Sequence, residues 1–251
     1  MRLDREGDLA TVTLDRPERR NAQTPSTWRA LADVGQELLT TGARVVVLRS
    51  EGPSFSAGLD QRMLSPDGVP GEPTFVDLAG LEPAALDETI ATFQEAFTWW
   101  RDERIVSVAA VQGHAVGAGF QLALGCDLRV LADDARFSMR EPSLGLVPDL
   151  GGTKPLVDLV GYPRALEICA TGRWVDAEEA ARTGLAELVV PPADLDAATR
   201  DLAAAILAAP ADAVRETKAL LRDASSRTYD EQRSAERAAQ GRRLRALAGG
   251  G

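Results

Sequence analysis

A single histidine, His114, and two cysteines, Cys126 and Cys169, leave this chain of 251 residues few ordinary nucleophiles. One imidazole nearly excludes a His-based zinc site, and a Ser-His-Asp triad would have to use His114. A satisfied or exposed imidazole is the better reading of it. Two cysteines without CxxC spacing make no disulfide framework. Acid–base chemistry therefore falls to carboxylates, and stabilisation of an oxyanion to backbone N–H groups. Two segments offer such groups. Gln112-Gly-His-Ala-Val-Gly-Ala-Gly119 follows an apolar strand and precedes an apolar helix, and its small residues let a ligand approach the backbone. Free N–H groups at a helix start suit an oxygen that carries negative charge. The segment lacks the Gly-x-Gly-x-x-Gly spacing of a dinucleotide site and the lysine of a phosphate-binding P-loop. Phe55-Ser-Ala-Gly-Leu-Asp60 also follows a strand and is rich in small residues. Taken singly, each is equally well a tight turn that binds nothing.

The elements around these turns follow from pattern. Leu9-Ala-Thr-Val-Thr-Leu14 alternates as a strand does, and Thr24-Pro25 opens a helix with Thr as N-cap. Arg44-Val-Val-Val-Leu-Arg49 is β-branched enough for a strand buried on both faces. Residues 65–83 are dense in Pro and Gly and predict a mobile loop without regular structure. Beyond it Ile90, Phe93, Phe97 and Trp100 share a helical face and read as core. Strands over 105–111 and 127–132 flank the glycine turn, and Asp176-Ala-Glu-Glu179 has capping-box spacing. Helices follow over 194–209, 211–224 and 230–247. The pattern predicts an α/β core over 1–190 and a helical module over 191–251, too small for its own core and suited to packing on the core or on another subunit.

Composition bounds the rest. The chain is 45% hydrophobic and 26% charged, as soluble globular proteins are. A formal net charge of −10 removes electrostatic support for nucleic-acid binding. The longest apolar run, 202–209, falls well short of the roughly 18 residues a membrane span needs. The charged first eight residues have no signal-like apolar stretch, so the expectation is a reduced, cytoplasmic and metal-free protein.

Phe55–Asp60 together with 108–128, VAAVQGHAVGAGFQLALGCDL, closely resembles the enoyl-CoA hydratase/isomerase, or crotonase, superfamily. Arg16-Pro-Glu-Arg-Arg-Asn-Ala22, Gly145-Leu-Val-Pro-Asp-Leu-Gly-Gly-Thr153, Trp174-Val-Asp-Ala-Glu-Glu-Ala180, Gly184-Leu185 and Thr217-Lys218 follow in family order, so the resemblance spans about residues 1–222. It implies a spiral of ββα turns ending in helices that build trimers, often paired into hexamers. It also implies an acyl-CoA thioester as substrate, passing through an enolate, with no further cofactor. The enolate oxygen would lie between the N–H groups of Leu59 and Ala118. Ala57 and the stretch Leu59, Asp60, Gln61 and Arg62 would run along the pantetheine, with Asp60 fixing the turn. Arg19 or Arg20 would supply charge near the CoA phosphates.

The carboxylates decide the reaction. The family's hydratases hold one water between two glutamates. By position one of these is Gln121 here; the other, four residues past the Phe of Ala135-Arg-Phe137, is Glu141. An amide cannot exchange a proton at neutral pH. Hydration needs a base and an acid, whereas a double-bond shift needs one carboxylate that removes a proton and returns it elsewhere. The resemblance offers Asp149, eight residues after Glu141, as a partner carboxylate in isomerases; it is equally well placed to cap the helix after Gly151-Gly152. The first expectation is therefore an enoyl-CoA isomerase. The alternatives are a hydratase with an atypical acid–base pair and a silent acyl-CoA-binding protein.

Overall fold

A computed structural model describes residues 1–249. Among the described residues, nine strands and seven helices precede a wholly helical last part. In order these are β1 (Arg2–Glu6), β2 (Leu9–Leu14), α1 (Pro25–Thr41), β3 (Val45–Ser50), α2 (Phe75–Ala79), α3 (Pro83–Thr98), β4 (Val106–Val111), β5 (His114–Val116), α4 (Ala118–Gly125), β6 (Leu128–Ala132), β7 (Arg136–Ser138), α5 (Thr153–Val160), α6 (Tyr162–Thr171), β8 (Val175–Asp176) and α7 (Ala177–Thr183). A ninth strand, β9 (Leu188–Val190), precedes α8 (Leu195–Ala208), α9 (Ala211–Asp223) and α10 (Tyr229–Gly249).

The main sheet has the order β1-β2-β3-β4-β6-β9, parallel except for the β1–β2 hairpin. A small sheet, β5-β7-β8, stands beside it. The pairs β4–β5 and β6–β7 each lay one strand in each sheet, and Ser56 after β3 bridges to Ala115 of β5, so chain segments far apart in sequence meet where the sheets adjoin. The period of two along β3 explains its β-branched run. Val46 and Leu48 join the cluster under α1, α3 and α4, while Val45 and Val47 face the other way with Val108, Val130, Leu195 and Ala203. That second face is covered by α8, which lies beyond residue 190. Buried on both faces, β3 has no need of polar alternation.

Local signals placed most elements. Thr24 caps α1 in a reciprocal box with Thr27, and Pro25 occupies the first turn. Trp28 of α1 packs against Phe93 and Phe97 of α3 at 4.9 and 6.0 Å between ring centroids, so these aromatics are core. Two readings need correction. Residues 65–83 contain α2, started by a reciprocal box in which Thr74 and Asp77 bond each other's N–H groups. The surrounding Pro and Gly hid that Thr-x-x-Asp signal. Asp176 does cap α7 by accepting from the Glu179 N–H, but Glu179 does not reciprocate: Arg173 and Arg164 take its carboxylate. Lys218 pins α9 to the core, donating to the carbonyls of Asp102 and Ile105 and to Asp127 Oδ2 at 2.6–2.7 Å. No helix among the described residues is long and apolar enough to cross a membrane.

Candidate active site

The Leu59 turn is held in place by its neighbours' backbone bonds. Gln23 N–H donates to the Gly58 carbonyl at 2.7 Å, and Asp60 N–H donates to the Gln23 carbonyl at 2.8 Å. In such a parallel bridge the residue between, Leu59, turns its own N–H to the opposite side. That N–H has no hydrogen-bond partner among the described residues. On the same stretch Ser56 pairs with β5: its N–H donates to His114 O at 2.9 Å, and Val116 N–H donates to Ser56 O at 3.0 Å. These bonds press Gly58 against the glycine turn. A Cβ on Gly58 would lie 2.3 Å from Val116 O and 3.4 Å from Ala118 N, and its φ of +80° already requires glycine.

Ala118 is the first residue of α4, after Gly117 at φ +51°. Gly117 N–H is spent on Ser138 O at 2.8 Å, but Ala118 N–H has no partner among the described residues. Two unpartnered N–H groups, one at the positive end of a buried helix, thus meet on facing turns.

The Glu141 carboxylate closes the third side. Glu141 begins the 3-10 turn that follows β7, and a Cβ on Gly117 would stand 3.2 and 3.5 Å from its two oxygens. Its Oε1 accepts from Gln121 Nε2 at 2.6 Å, while Oε2 is buried and without a partner among the described residues. Burial pushes the Glu141 carboxyl above the ordinary glutamate value and the Asp149 charge adds to this; backbone N–H groups and the Gln121 amide pull the other way.

Gln121 is bonded at both ends of its amide. It lies buried on α4, and its Oε1 accepts from Leu150 N–H at 2.9 Å and Gly152 N–H at 3.3 Å. The amide is thus a bridge between the Glu141 turn and the 149–152 loop. Asp149 on that loop is half-buried, and burial raises its carboxyl as well. It does not cap α5: the N-cap is Gly152, with no side-chain bond.

The remaining candidates sit on the Leu59 side. Asp60 is buried and pairs with Arg62 at 2.8 Å and Arg16 at 3.2 Å; the Arg62 hydrogen bonds, above all, hold its carboxyl at about 2. Arg62 is therefore occupied. Gln61 is exposed, and Ala57 N–H is spent on the Arg20 carbonyl at 2.8 Å. The exposed guanidinium groups of Arg19 and Arg20 make no ion pair among the described residues. His114 is exposed and lies edge-on to Trp174, 5.2 Å between centroids. Cys126 is fully buried and its thiol is pushed up to about 12.

Sequence reading missed the scaffold under Leu59. Ser56 Oγ donates to Asn21 O at 2.7 Å and accepts from Gln23 Nε2 and Gly58 N–H. Asn21, at φ +52°, donates through its amide to Glu51 O and Ser54 O, both at 2.9 Å. The segment 16–22 stood out only as a pattern; nothing in its composition says that its polar side chains face inward.

The paired sheets and the spiral of ββα turns, with facing N–H groups where the sheets adjoin, define a crotonase-like architecture. The family model described as Enoyl-CoA hydratase/isomerase matches residues 4–245, and the chain belongs to that family of acyl-CoA enzymes. A Bacillus subtilis protein provisionally named enoyl-CoA hydratase/isomerase YngF is 35% identical over 84% of this chain and 76% of its own. The short-chain-enoyl-CoA hydratase of Clostridium acetobutylicum is 31% identical over 86% and 78%. Among solved structures, a Thermobifida fusca YX protein provisionally named enoyl-CoA hydratase, in complex with acetoacetyl-CoA, is 52% identical with a TM-score of 0.92 over 97% of this chain and 94% of that one. The names lean to hydratase, and none of these three is an isomerase alone.

Proposed function

We propose that this family member is an enoyl-CoA isomerase, acting through an enolate with Glu141 as its single proton carrier. One observation carries the reading: both ends of the Gln121 amide are taken, by Glu141 and by the 150–152 backbone, so position 121 offers a water neither an acid nor a base. The thioester oxygen of a 3-enoyl-CoA would accept from Leu59 and Ala118 N–H, each such donor stabilising the transition state by typically about 3–4 kcal/mol. Glu141 Oε2, unpartnered beside Gly117, would take a proton from C2; the C3–C4 double bond moves to C2–C3 as that proton is returned to C4. Burial raises the basicity of the carboxyl, which favours its taking that proton.

Ala57, Leu59, Asp60, Gln61 and Arg62 would flank the pantetheine, with Arg20 free to meet the CoA phosphates. The CoA complex of the Thermobifida fusca relative supports this class of ligand. No further cofactor enters the chemistry. Exposed Leu221, Tyr229, Leu244 and Leu247 on α9 and α10 support assembly into a trimer or a hexamer through these helices. Two unpaired cysteines fit a reducing, cytoplasmic setting.

A second reading, hydratase, is favoured by Asp149, whose charge acts on Glu141 and which could serve as the missing acid, and by the relatives' names. The test is a panel of 3-enoyl-, 2-enoyl- and dienoyl-CoA thioesters with product analysis. A shifted double bond supports the isomerase, 3-hydroxyacyl-CoA the hydratase. Binding without turnover of any of them would leave a silent acyl-CoA-binding protein.

A further inference from the structure

Gly58, at φ +80°, has the backbone freedom of glycine, so the direction of the Leu59 N–H depends on what pins the two peptide groups flanking it. Both lead to Gln23. The peptide after Gly58 carries the Gly58 carbonyl and the Leu59 N–H on opposite sides of one plane. Its carbonyl accepts from Gln23 N–H at 2.7 Å, which turns the Leu59 N–H away from Gln23. The peptide before Gly58 gives its N–H to Ser56 Oγ at 3.2 Å, and that hydroxyl accepts in turn from Gln23 Nε2 at 3.0 Å.

The amide of Gln23 lies only one way round. Trp28 Nε1 donates to it at 2.8 Å, and an indole N–H only donates, so the atom facing Trp28 is the oxygen and the atom facing Ser56 is the nitrogen. With Nε2 donating to it, Ser56 Oγ sends its own hydrogen to Asn21 O at 2.7 Å and keeps a lone pair for the Gly58 N–H. Gln23 and Ser56 are both fully buried. Burying an amide is unfavourable unless it is hydrogen-bonded, and an apolar side chain would meet no such requirement.

We infer that Gln23 is a positioning residue of the oxyanion hole: its main chain and its side chain together fix the Gly58 turn so that the Leu59 N–H points at the acyl oxygen. The inference rests on the oxyanion hole of the proposed function and not on which carbon receives the proton, so it holds for isomerase and hydratase.

The experiment is an infrared difference spectrum of butyryl-CoA bound to the enzyme, with the thioester carbonyl labelled with 13C. This saturated probe has no double bond to shift or hydrate. Hydrogen bonds from the hole lower its C=O stretch relative to the free thioester. Gln23→Met keeps length and the backbone bonds but removes both ends of the amide. Its bound band is expected to return toward the free position, with kcat about 10-fold or more below wild type and the affinity for free CoA unchanged. Trp28→Phe loses only the indole donor and should move the band the same way by less; it serves should Gln23→Met fail to fold. The double variant should shift the band no further than Gln23→Met alone, since Trp28 acts through the amide. Val130→Ala, in the buried cluster under α8, is the control for lost stability and should leave the band in place. An unchanged band in folded Gln23→Met, or in Trp28→Phe where only that variant folds, overturns the inference. So do additive shifts in the double variant, or an equal shift in Val130→Ala. Failure of the proposed function looks different: the wild-type band itself stays at the free position, which removes the oxyanion hole and the inference with it.

Discussion

Gln121 Nε2 donates to Glu141 Oε1 at 2.6 Å, and this bond divides the two oxygens of one carboxylate into different tasks. Oε1 is tied to α4 and fixes the orientation; Oε2 is left buried, unpartnered and next to the turn that ends at Ala118. A glutamine in place of a second glutamate is thus a structural substitution as much as a chemical loss. It trades an ionisable group for a donor that holds the remaining base.

Glu141→Gln should abolish exchange of substrate α-protons with deuterated water while acyl-CoA binding stays within a few-fold, since shape is kept. The wild-type rate should fall on the acid side at a pH above the ordinary glutamate value of 4.5, because protonation removes the base and burial raises its pKa. The same sign holds for stability. A carboxyl raised in the folded state favours folding at low pH and loses that contribution as pH rises through the raised value. The Gln variant should therefore melt higher than wild type at pH 7, a difference that shrinks below pH 4.

Ala118→Pro removes one of the two free N–H groups at a position where helices accept proline. The expected loss is about 100-fold or more in kcat from one missing donor. Circular dichroism and CoA affinity report whether the fold survives. Near-normal kcat in a folded variant would remove Ala118 from the oxyanion hole.

Gly58→Ala tests the closeness of the two turns. Its Cβ would meet Val116 O at 2.3 Å, a backbone atom that no side-chain rotation can move aside. Overpacking of this kind costs typically about 1–3 kcal/mol, so the melting temperature should drop. Because the displaced backbone carries the Leu59 donor, kcat should fall further than in a variant that lowers stability equally from a remote core position.

Asp60→Asn concerns the turn under Leu59. Its carboxyl is held at about 2 by Arg62 and Arg16, so its contribution to stability is present above the unfolded value of about 4 and lost as pH falls through 2. The Asn variant should melt lower than wild type at pH 7, with KM for the CoA thioester raised. The two proteins should converge in stability toward pH 2.

The family resemblance, and not composition, singled out Leu59, Ala118 and Glu141. The small residues around the first two signal close backbone approach, but taken alone they read equally well as tight turns. What was illegible is tertiary. Nothing near Gln94 says that its amide will reach the Asp149 carbonyl 55 residues away. Gln121 read as a lost acid, and only its three partners show it to be a bridge. In the fold, β3 revealed itself through its unbroken β-branched run, whereas α2 was masked by the Pro and Gly around its capping box.

The most direct measurement of the central claim, one proton carrier and a bridging amide, is the ratio of isomerase to hydratase kcat/KM, using a 3-enoyl-CoA and a 2-enoyl-CoA of equal chain length. The wild type should isomerise much faster than it hydrates. Gln121→Glu should raise hydration, because a carboxylate 2.6 Å from Glu141 would share a proton with it, one member serving as acid and the other as base. General acid–base assistance is typically worth about 100- to 10,000-fold, so the ratio should move visibly. A wild type that hydrates the 2-enoyl-CoA as fast as it shifts the 3-enoyl double bond would contradict the account.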